Sequence, residues 1–361
     1  MAEDFVVLHE LVEAAKKNLD PGAFGYLMGA AESETTFLKN RIGFDSLALV
    51  PRVLVDVSDV DPSTQLFGIP LRLPVMLAPI GSIEDLSADG GIAPTRAAAE
   101  FGIVHMLSSV AKPGKEAVAE AADYPKLFQL YVRGDADWVD DRLSEALDLG
   151  YAGLCLTVDR AYYGRRERDL VARHKPTQRA APKGEIHQAQ LTWKDVDRIR
   201  HKFDTPLMLK GIGCGEDARL AVEHGIDGVY ISNHGGRQLD HGPGTIEILP
   251  EIVDTVEGRA KIILDGGILR GTDVIKALAL GCDVVAIGRL QGIALGAAGQ
   301  AGVVRMLEIL ENEIQTSLGL LGVASVKDLQ PEYVRETIPI PGRDGYRSAF
   351  PLIDPLFSSD A

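Results

Sequence analysis

The segment SNHGGRQLD holds His234 and Arg237 three residues apart in a glycine-rich loop. Near neutral pH histidine is the usual general base, and a guanidinium binds a carboxylate through two parallel hydrogen bonds. Asp159 closes the apolar run GLCLTVD. From there it can accept from the other imidazole nitrogen and stabilise the imidazolium after proton uptake. Lys210 lies near the end of PLMLKGI. A buried ammonium is costly unless something anionic answers it, so Lys210 is either a Schiff-base lysine or a charge held beside a cofactor that becomes anionic. Finally, Asp265-Gly266-Gly267 and Gly288-Arg289 end two more apolar runs. Glycines there let backbone N–H groups approach a phosphate, and Arg289 adds a fork of donors.

These residues share a setting. Eight short β-rich apolar runs follow one another: LPVMLAPIG (73–81), IVHMLSSV (103–110), KLFQLYV (126–132), GLCLTVD (153–159), PLMLKGI (206–212), GVYISNHG (228–235), KIILDGG (261–267) and DVVAIGR (283–289). Helical patterns such as GEDARLAVEHG and TDVIKALALG separate them. Continuous apolar strands alternating with helices imply a parallel sheet covered by helices, and eight units close into a single (β/α)8 TIM barrel of the α/β class. The first run is not followed by G-x-G-x-x-G, which disfavours a nicotinamide-binding Rossmann domain. The reading is one domain over 1–361, with the barrel core at 73–290. An N-terminal extension, 1–72, reads as two short helices and a hairpin able to plug the barrel bottom. A C-terminal helix and extended tail fill 291–361. The tail fits either a neighbouring subunit or its own barrel. Residues 167–190 lack an apolar period and read as an active-site lid.

Active sites of such barrels lie at the C-terminal strand ends. Those ends supply Pro79, Ile80, Gly81, Ser108, Gln129, Tyr131, Thr157, Asp159, Lys210, Ser232, His234, Asp265, Gly266, Gly267, Gly288 and Arg289. Nearly every strand ends in polar residues or glycine, and their convergence on one rim marks it as the working face.

The 361 residues carry 37 Lys+Arg against 52 Asp+Glu, a net charge of −15. That balance opposes binding to nucleic acid or anionic membranes. Cys155, Cys214 and Cys282 are too few and scattered for a disulfide framework or metal cage. The N-terminus reads as an amphipathic helix rather than a signal peptide, and a cytoplasmic location is expected.

The blocks LxPRVLxDVSxVD, APIG, LSS, FQLYV, LTVD followed by GRRE, LKGI, SNHGGRQLD and DGG/GR, in that order, resemble the FMN-dependent L-2-hydroxy acid oxidase and dehydrogenase family. That family includes glycolate oxidase, lactate oxidase and mandelate dehydrogenase. The resemblance covers about residues 20 to 320. It implies FMN as cofactor and oxidation of a 2-hydroxy acid to the 2-keto acid, with electrons passing to dioxygen or a separate acceptor. His234 would be the base and Asp159 its stabiliser. Arg237 would clamp the substrate carboxylate with Tyr26, while Tyr131 and Arg166 would also bind substrate. Lys210 would stabilise the reduced, anionic ring. Pro79, Ile80, Gly81, Ser108, Gln129, Thr157 and Ser232 would hold the ring system. Asp265, Gly266, Gly267, Gly288 and Arg289 would hold the ribityl phosphate. A homo-oligomer, tetramer or octamer, is also implied, and no metal.

Three positions depart from the family pattern. Leu269 stands where many relatives carry an arginine beside the cofactor. Val110 replaces the bulky aromatic of glycolate oxidase, which should enlarge the pocket for longer or aromatic side chains unless Tyr162 and Tyr163 refill it. Gly81 sits where several oxidases carry alanine, so oxygen reactivity does not follow from the resemblance. The rival reading is a flavin-dependent isomerase or a lyase using Lys210 as a Schiff base.

Overall fold

A computed structural model describes residues 2–177, 185–343 and 345–356. Eight parallel strands close into a barrel: β1 (Val75–Leu77), β2 (Val104–Ser108), β3 (Leu127–Leu130), β4 (Leu154–Thr157), β5 (Leu207–Ile212), β6 (Gly228–Ile231), β7 (Lys261–Leu264) and β8 (Val284–Ile287). Each pairs with the next, and β8 closes on β1 through Val285 opposite Val75. Every one of the eight apolar runs contains one of these strands. Being covered on both faces, the strands need apolar side chains inside and out, which is why they read as unbroken runs rather than alternations.

The barrel's N-terminal end is closed by a hairpin, Thr64–Leu66 with Ile69–Leu71. Phe67 and Gly68 both have positive φ, 51° and 78°, the two-residue turn whose twist matches its strands. Leu66 and Leu71 are buried against Met76, Met106 and Met208 inside the barrel, so the expected plug is present.

The N-terminal extension differs from expectation by one helix: Leu8–Asn18, Pro21–Met28 and Thr35–Asp45 are all helical. Asp20 and Pro21 make the extra break. The Asp20 carboxylate accepts from the Gly22 N–H at 2.8 Å, and Pro21 starts the next helix, where a missing N–H costs nothing. Leu8, Leu11, Val12 and Ala15 bury one face of the first helix against the long helix Arg289–Leu321. That long helix is apolar enough by length and composition to cross a membrane, but most of it is buried within the protein. It breaks at Ala298 and Gly299, where φ/ψ leave the helical region.

The C-terminal tail folds onto its own chain. Val334–Glu336 pairs antiparallel with Leu47–Leu49, the Tyr346 hydroxyl donates to the Met28 carbonyl at 2.8 Å, and Phe350 is fully buried. The expected lid at 167–190 is partly helical, with Glu167–Val171 and Glu185–Ala189, and residues 178–184 lie outside the described residues. Its described portions are pinned to the barrel. Gln188 accepts from the Val132 N–H at 2.7 Å and donates to the Thr157 carbonyl at 2.8 Å, and Thr177 binds the Asp85 carboxylate.

Candidate active site

The C-terminal strand ends surround a cavity of about 1270 Å³, counting its open mouth. At its reactive centre, His234 Nδ1 lies 3.0 Å from both Asp159 carboxylate oxygens. Burial pushes the imidazole pKa down, which the Asp159 charge opposes without reversing. Burial also raises Asp159, but His234 and Lys210 outweigh it and hold the carboxyl below its ordinary range. An ionised Asp159 fixes the proton on Nδ1 and leaves the Nε2 lone pair exposed to the cavity. There the Tyr131 hydroxyl, 2.9 Å away, donates to it. Burial lifts the Tyr131 pKa to about 12, so it remains a donor.

The backbone aims this imidazole. His234 adopts a left-handed conformation with φ 58°, followed by Gly235 at 65° and Gly236 at 76°. At Gly236 a Cβ would lie 2.6 Å from the Phe37 backbone nitrogen, so only glycine admits the helix Thr35–Asp45 against this loop.

Deeper in the site, Lys210 Nζ donates to Ser232 Oγ at 2.6 Å and pairs with Asp265 at 3.1 Å. Ser232 in turn donates to Asp265 at 2.6 Å. Burial opposes the ammonium, but Asp265 and Asp159 more than offset it, so Lys210 is held protonated well above its ordinary range. A protonated amine is no nucleophile, which removes the basis for a Schiff-base role. Asp265 lines the cavity with its carboxylate bonded to Lys210 and Ser232; it fixes a cation and, being an acceptor, has no donor of its own to offer a phosphate.

At the roof, the Arg237 guanidinium lies 4.5 Å from the Tyr26 ring centre, and its Nη1 donates to the carbonyls of Tyr26 (2.6 Å) and Gly29 (2.8 Å). The Tyr26 hydroxyl donates to the Gly81 carbonyl at 3.2 Å. Arg166 is buried, stacks 4.3 Å from Tyr163 and donates to its hydroxyl at 2.6 Å. Burial, reinforced by Arg237, pulls its pKa down to about 10. Tyr163 therefore lines the cavity, whereas Tyr162 is 85% exposed and does not refill the space left by Val110. Val110 packs on Gly81: a Cβ there would come within 2.8 Å of its methyl.

Pro79, Ile80, Gly81, Gly266, Gly267, Gly288 and Arg289 also line the cavity. Arg289 directs Nη1 to the Gly235 carbonyl and Nη2 to that of Gly29, both at 2.7 Å, and only its buried Nε lacks a partner. Gly266 and Gly267 have positive φ, and side chains there would collide with Thr245 and Asn40. Their glycine identity is thus required by packing as well as by any ligand. Leu269 is buried in the lining. Sequence reasoning missed Arg41, Arg133, Arg160 and Tyr346 in this lining. Arg160 alone had a nearby signal, since it directly follows Asp159. Ser108 and Thr157 end β2 and β4, Gln129 is one residue from the end of β3 and Ser232 directly follows β6, at the level of Lys210, which is paired with Thr157 and lines the cavity.

The site fits FMN. Both amide atoms of Gln129 and the hydroxyl of Thr157 are buried without partners, a cost that proteins seldom bear unless a ligand repays it. A ring with an imide edge offers the donor and acceptors that these groups need. The locked Lys210 is a cation of the kind that an anionic reduced ring would call for.

The chain matches the FMN-dependent dehydrogenase family model over residues 15–336. It is 37% identical to a 2-hydroxyacid oxidase of Dictyostelium discoideum over 346 residues, covering 91% of this chain and 89% of that one. An L-lactate oxidase of Nostoc sp. is 38% identical over 356 residues, covering 91% and 97%. Among solved structures, mandelate oxidase superposes with a TM-score of 0.87 at 35% identity, covering 93% of this chain and 99% of that one. These matches run nearly end to end and agree with the barrel and the cavity at its rim: the chain belongs to the FMN-dependent dehydrogenase family and is an FMN-dependent oxidoreductase of the 2-hydroxy acid oxidase and dehydrogenase kind.

Proposed function

We propose that the enzyme oxidises an L-2-hydroxy acid at C2 to the 2-keto acid, with His234 Nε2 as the base. FMN, when bound, would accept the hydrogen of C2 together with the two electrons, as a hydride equivalent, so that the C2–H bond breaks as the C2–O double bond forms. The observation carrying this reading is the His234 arrangement: Nδ1 tied to Asp159 at 3.0 Å and Nε2 turned into the cavity beside Tyr131. His234 removes the substrate hydroxyl proton, and Asp159 stabilises the imidazolium that results. Arg237, Arg166 and Tyr26 hold the substrate carboxylate; Tyr131 orients its hydroxyl. Lys210, fixed by Asp265 and Ser232, presents positive charge toward the cofactor's ring.

Val110 in place of a larger side chain favours substrates longer than glycolate. The electrons then pass to dioxygen, giving peroxide, or to a separate carrier. Anaerobic mixing of the FMN-loaded protein with a panel of 2-hydroxy acids tests the reading. Flavin bleaching ranks the substrates, and return of colour on admitting air separates oxidase from dehydrogenase. If none of the acids bleaches the flavin, the assignment fails.

A further inference from the structure

The His234 imidazole is held from two sides by residues on different strands. Asp159, two residues past β4, sits 3.0 Å from Nδ1, and Tyr131, directly after β3, sits 2.9 Å from Nε2. The spacing of those two strand ends therefore decides whether both contacts are made at once. β3 and β4 run side by side as far as Leu130 opposite Leu156, the last pair of their ladder. Beyond it the carboxamide of Gln188 stands between them. Its Oε1 accepts from the Val132 N–H at 2.7 Å, and its Nε2 donates to the Thr157 carbonyl at 2.8 Å. Val132 directly follows Tyr131, and Thr157 lies two residues before Asp159. The outer edges of both strand ends are held as well. The Tyr131 N–H donates to Ser109 Oγ at 3.0 Å, and the Val158 N–H to the Lys210 carbonyl at 2.8 Å.

Resting on the oxidation reading above, we infer that Gln188 is a positioning residue, which spaces the strand ends of Tyr131 and Asp159 so that both engage His234 together. A primary amide offers a donor and an acceptor much as a peptide group does, so Gln188 continues the ladder where the two strands part. Both partners are backbone groups, which fixes which amide atom is the oxygen. Gln188 is buried, so bulk water does not compete for either bond. Its neutrality matters too: an ionised carboxylate there would bury a charge and could not donate to the Thr157 carbonyl. Gln188 does not itself line the cavity. Its short helix, Glu185–Ala189, ends the segment that reads from sequence as a lid, so that end of the segment braces the site from behind.

The test is a double-mutant cycle on the FMN-loaded enzyme, read as the rate of anaerobic flavin reduction per bound FMN. Gln188→Met keeps the length of the side chain and loses both bonds. It should slow reduction at least about tenfold, as displacement of a positioned group does. In a His234→Asn background the same change should alter the residual rate less than about threefold, because the group being positioned is gone. Equal losses in the two backgrounds, or no loss in either, overturn the inference. Gln188→Asn keeps the amide on a stem one methylene shorter, which cannot reach both strands. It should follow Gln188→Met, and an unchanged rate in it overturns the inference even if the methionine variant does not fold. A second readout needs no turnover: NMR of isotope-labelled histidine follows the His234 titration, assigned through His234→Asn. Of the groups facing this imidazole, Asp159 raises its pKa, Lys210 and Arg166 lower it, and Tyr131 stays neutral. A loosened Asp159 contact should therefore move the titration to lower pH, and an unmoved titration in both variants overturns the inference. If no 2-hydroxy acid reduces the flavin while the titration still shifts, the oxidation reading falls and the positioning role stands.

Discussion

The two ends of the barrel solve opposite problems with the same eight strands. At the N-terminal end the Thr64–Leu71 hairpin drives Leu66 and Leu71 into an apolar core with Met76, Met106, Met208 and Ile263. At the C-terminal end the strands finish in His234, Asp159, Lys210 and Asp265, with Gln129 and Thr157 left unsatisfied. Burying charged and unpartnered groups destabilises the mouth, and the sealed base offsets it. One end supplies stability and the other spends part of it on chemistry.

This contrast can be broken from either side. The largest expected effect is at the mouth: His234→Asn should retain FMN and fold but slow flavin reduction by about 10²- to 10⁴-fold, the usual worth of a general base. Rapid-mixing absorbance measures it, and near-normal reduction would remove His234 as base. Next, Lys210→Met strands Asp265 in a buried site, so unfolding should become easier by about 3–5 kcal/mol while flavin reduction also falls. Denaturant titration and reduction rates should move together in this variant. At the sealed end, Leu66→Ala should cost about 2–5 kcal/mol of stability yet leave the reduction rate of the folded, FMN-loaded fraction unchanged. A slowed rate there would mean that the two ends are coupled.

The smallest effect is a pH shift. His234 must be neutral to accept a proton, and burial holds its pKa below 6.5. The acid limb of kcat/KM should therefore lie below pH 6.5, with activity lost as pH falls through it. Asp159→Asn removes a charge that raises the imidazole pKa, so the residual activity should show that limb at still lower pH. A limb above 6.5 in the unmodified enzyme contradicts the assignment.

Much of this contrast was legible in the residues. All eight strands appear as apolar runs because each is buried on both faces, and the polar residues closing them mark the mouth. What escaped reading depends on contacts between distant segments. Tyr346 reaches the cavity only because the tail returns to the N-terminal helices, and Arg41 arrives on a helix more than thirty residues before the barrel. The Lys210–Ser232–Asp265 network joins three separate strand ends, and no spacing in the chain announces it. Arg160 differs: it stands next to Asp159, which the chain itself singles out, and it lines the same cavity.

The left-handed backbone at His234 narrows the routes by which this enzyme can lose its activity. Valine, isoleucine or threonine there would add steric strain to the missing imidazole, whereas asparagine, aspartate or glycine accept the same φ of 58° with little penalty. A lineage drifting from catalyst to pigment-binding protein would thus be expected to retain one of those three residues at this corner, still coloured and still folded.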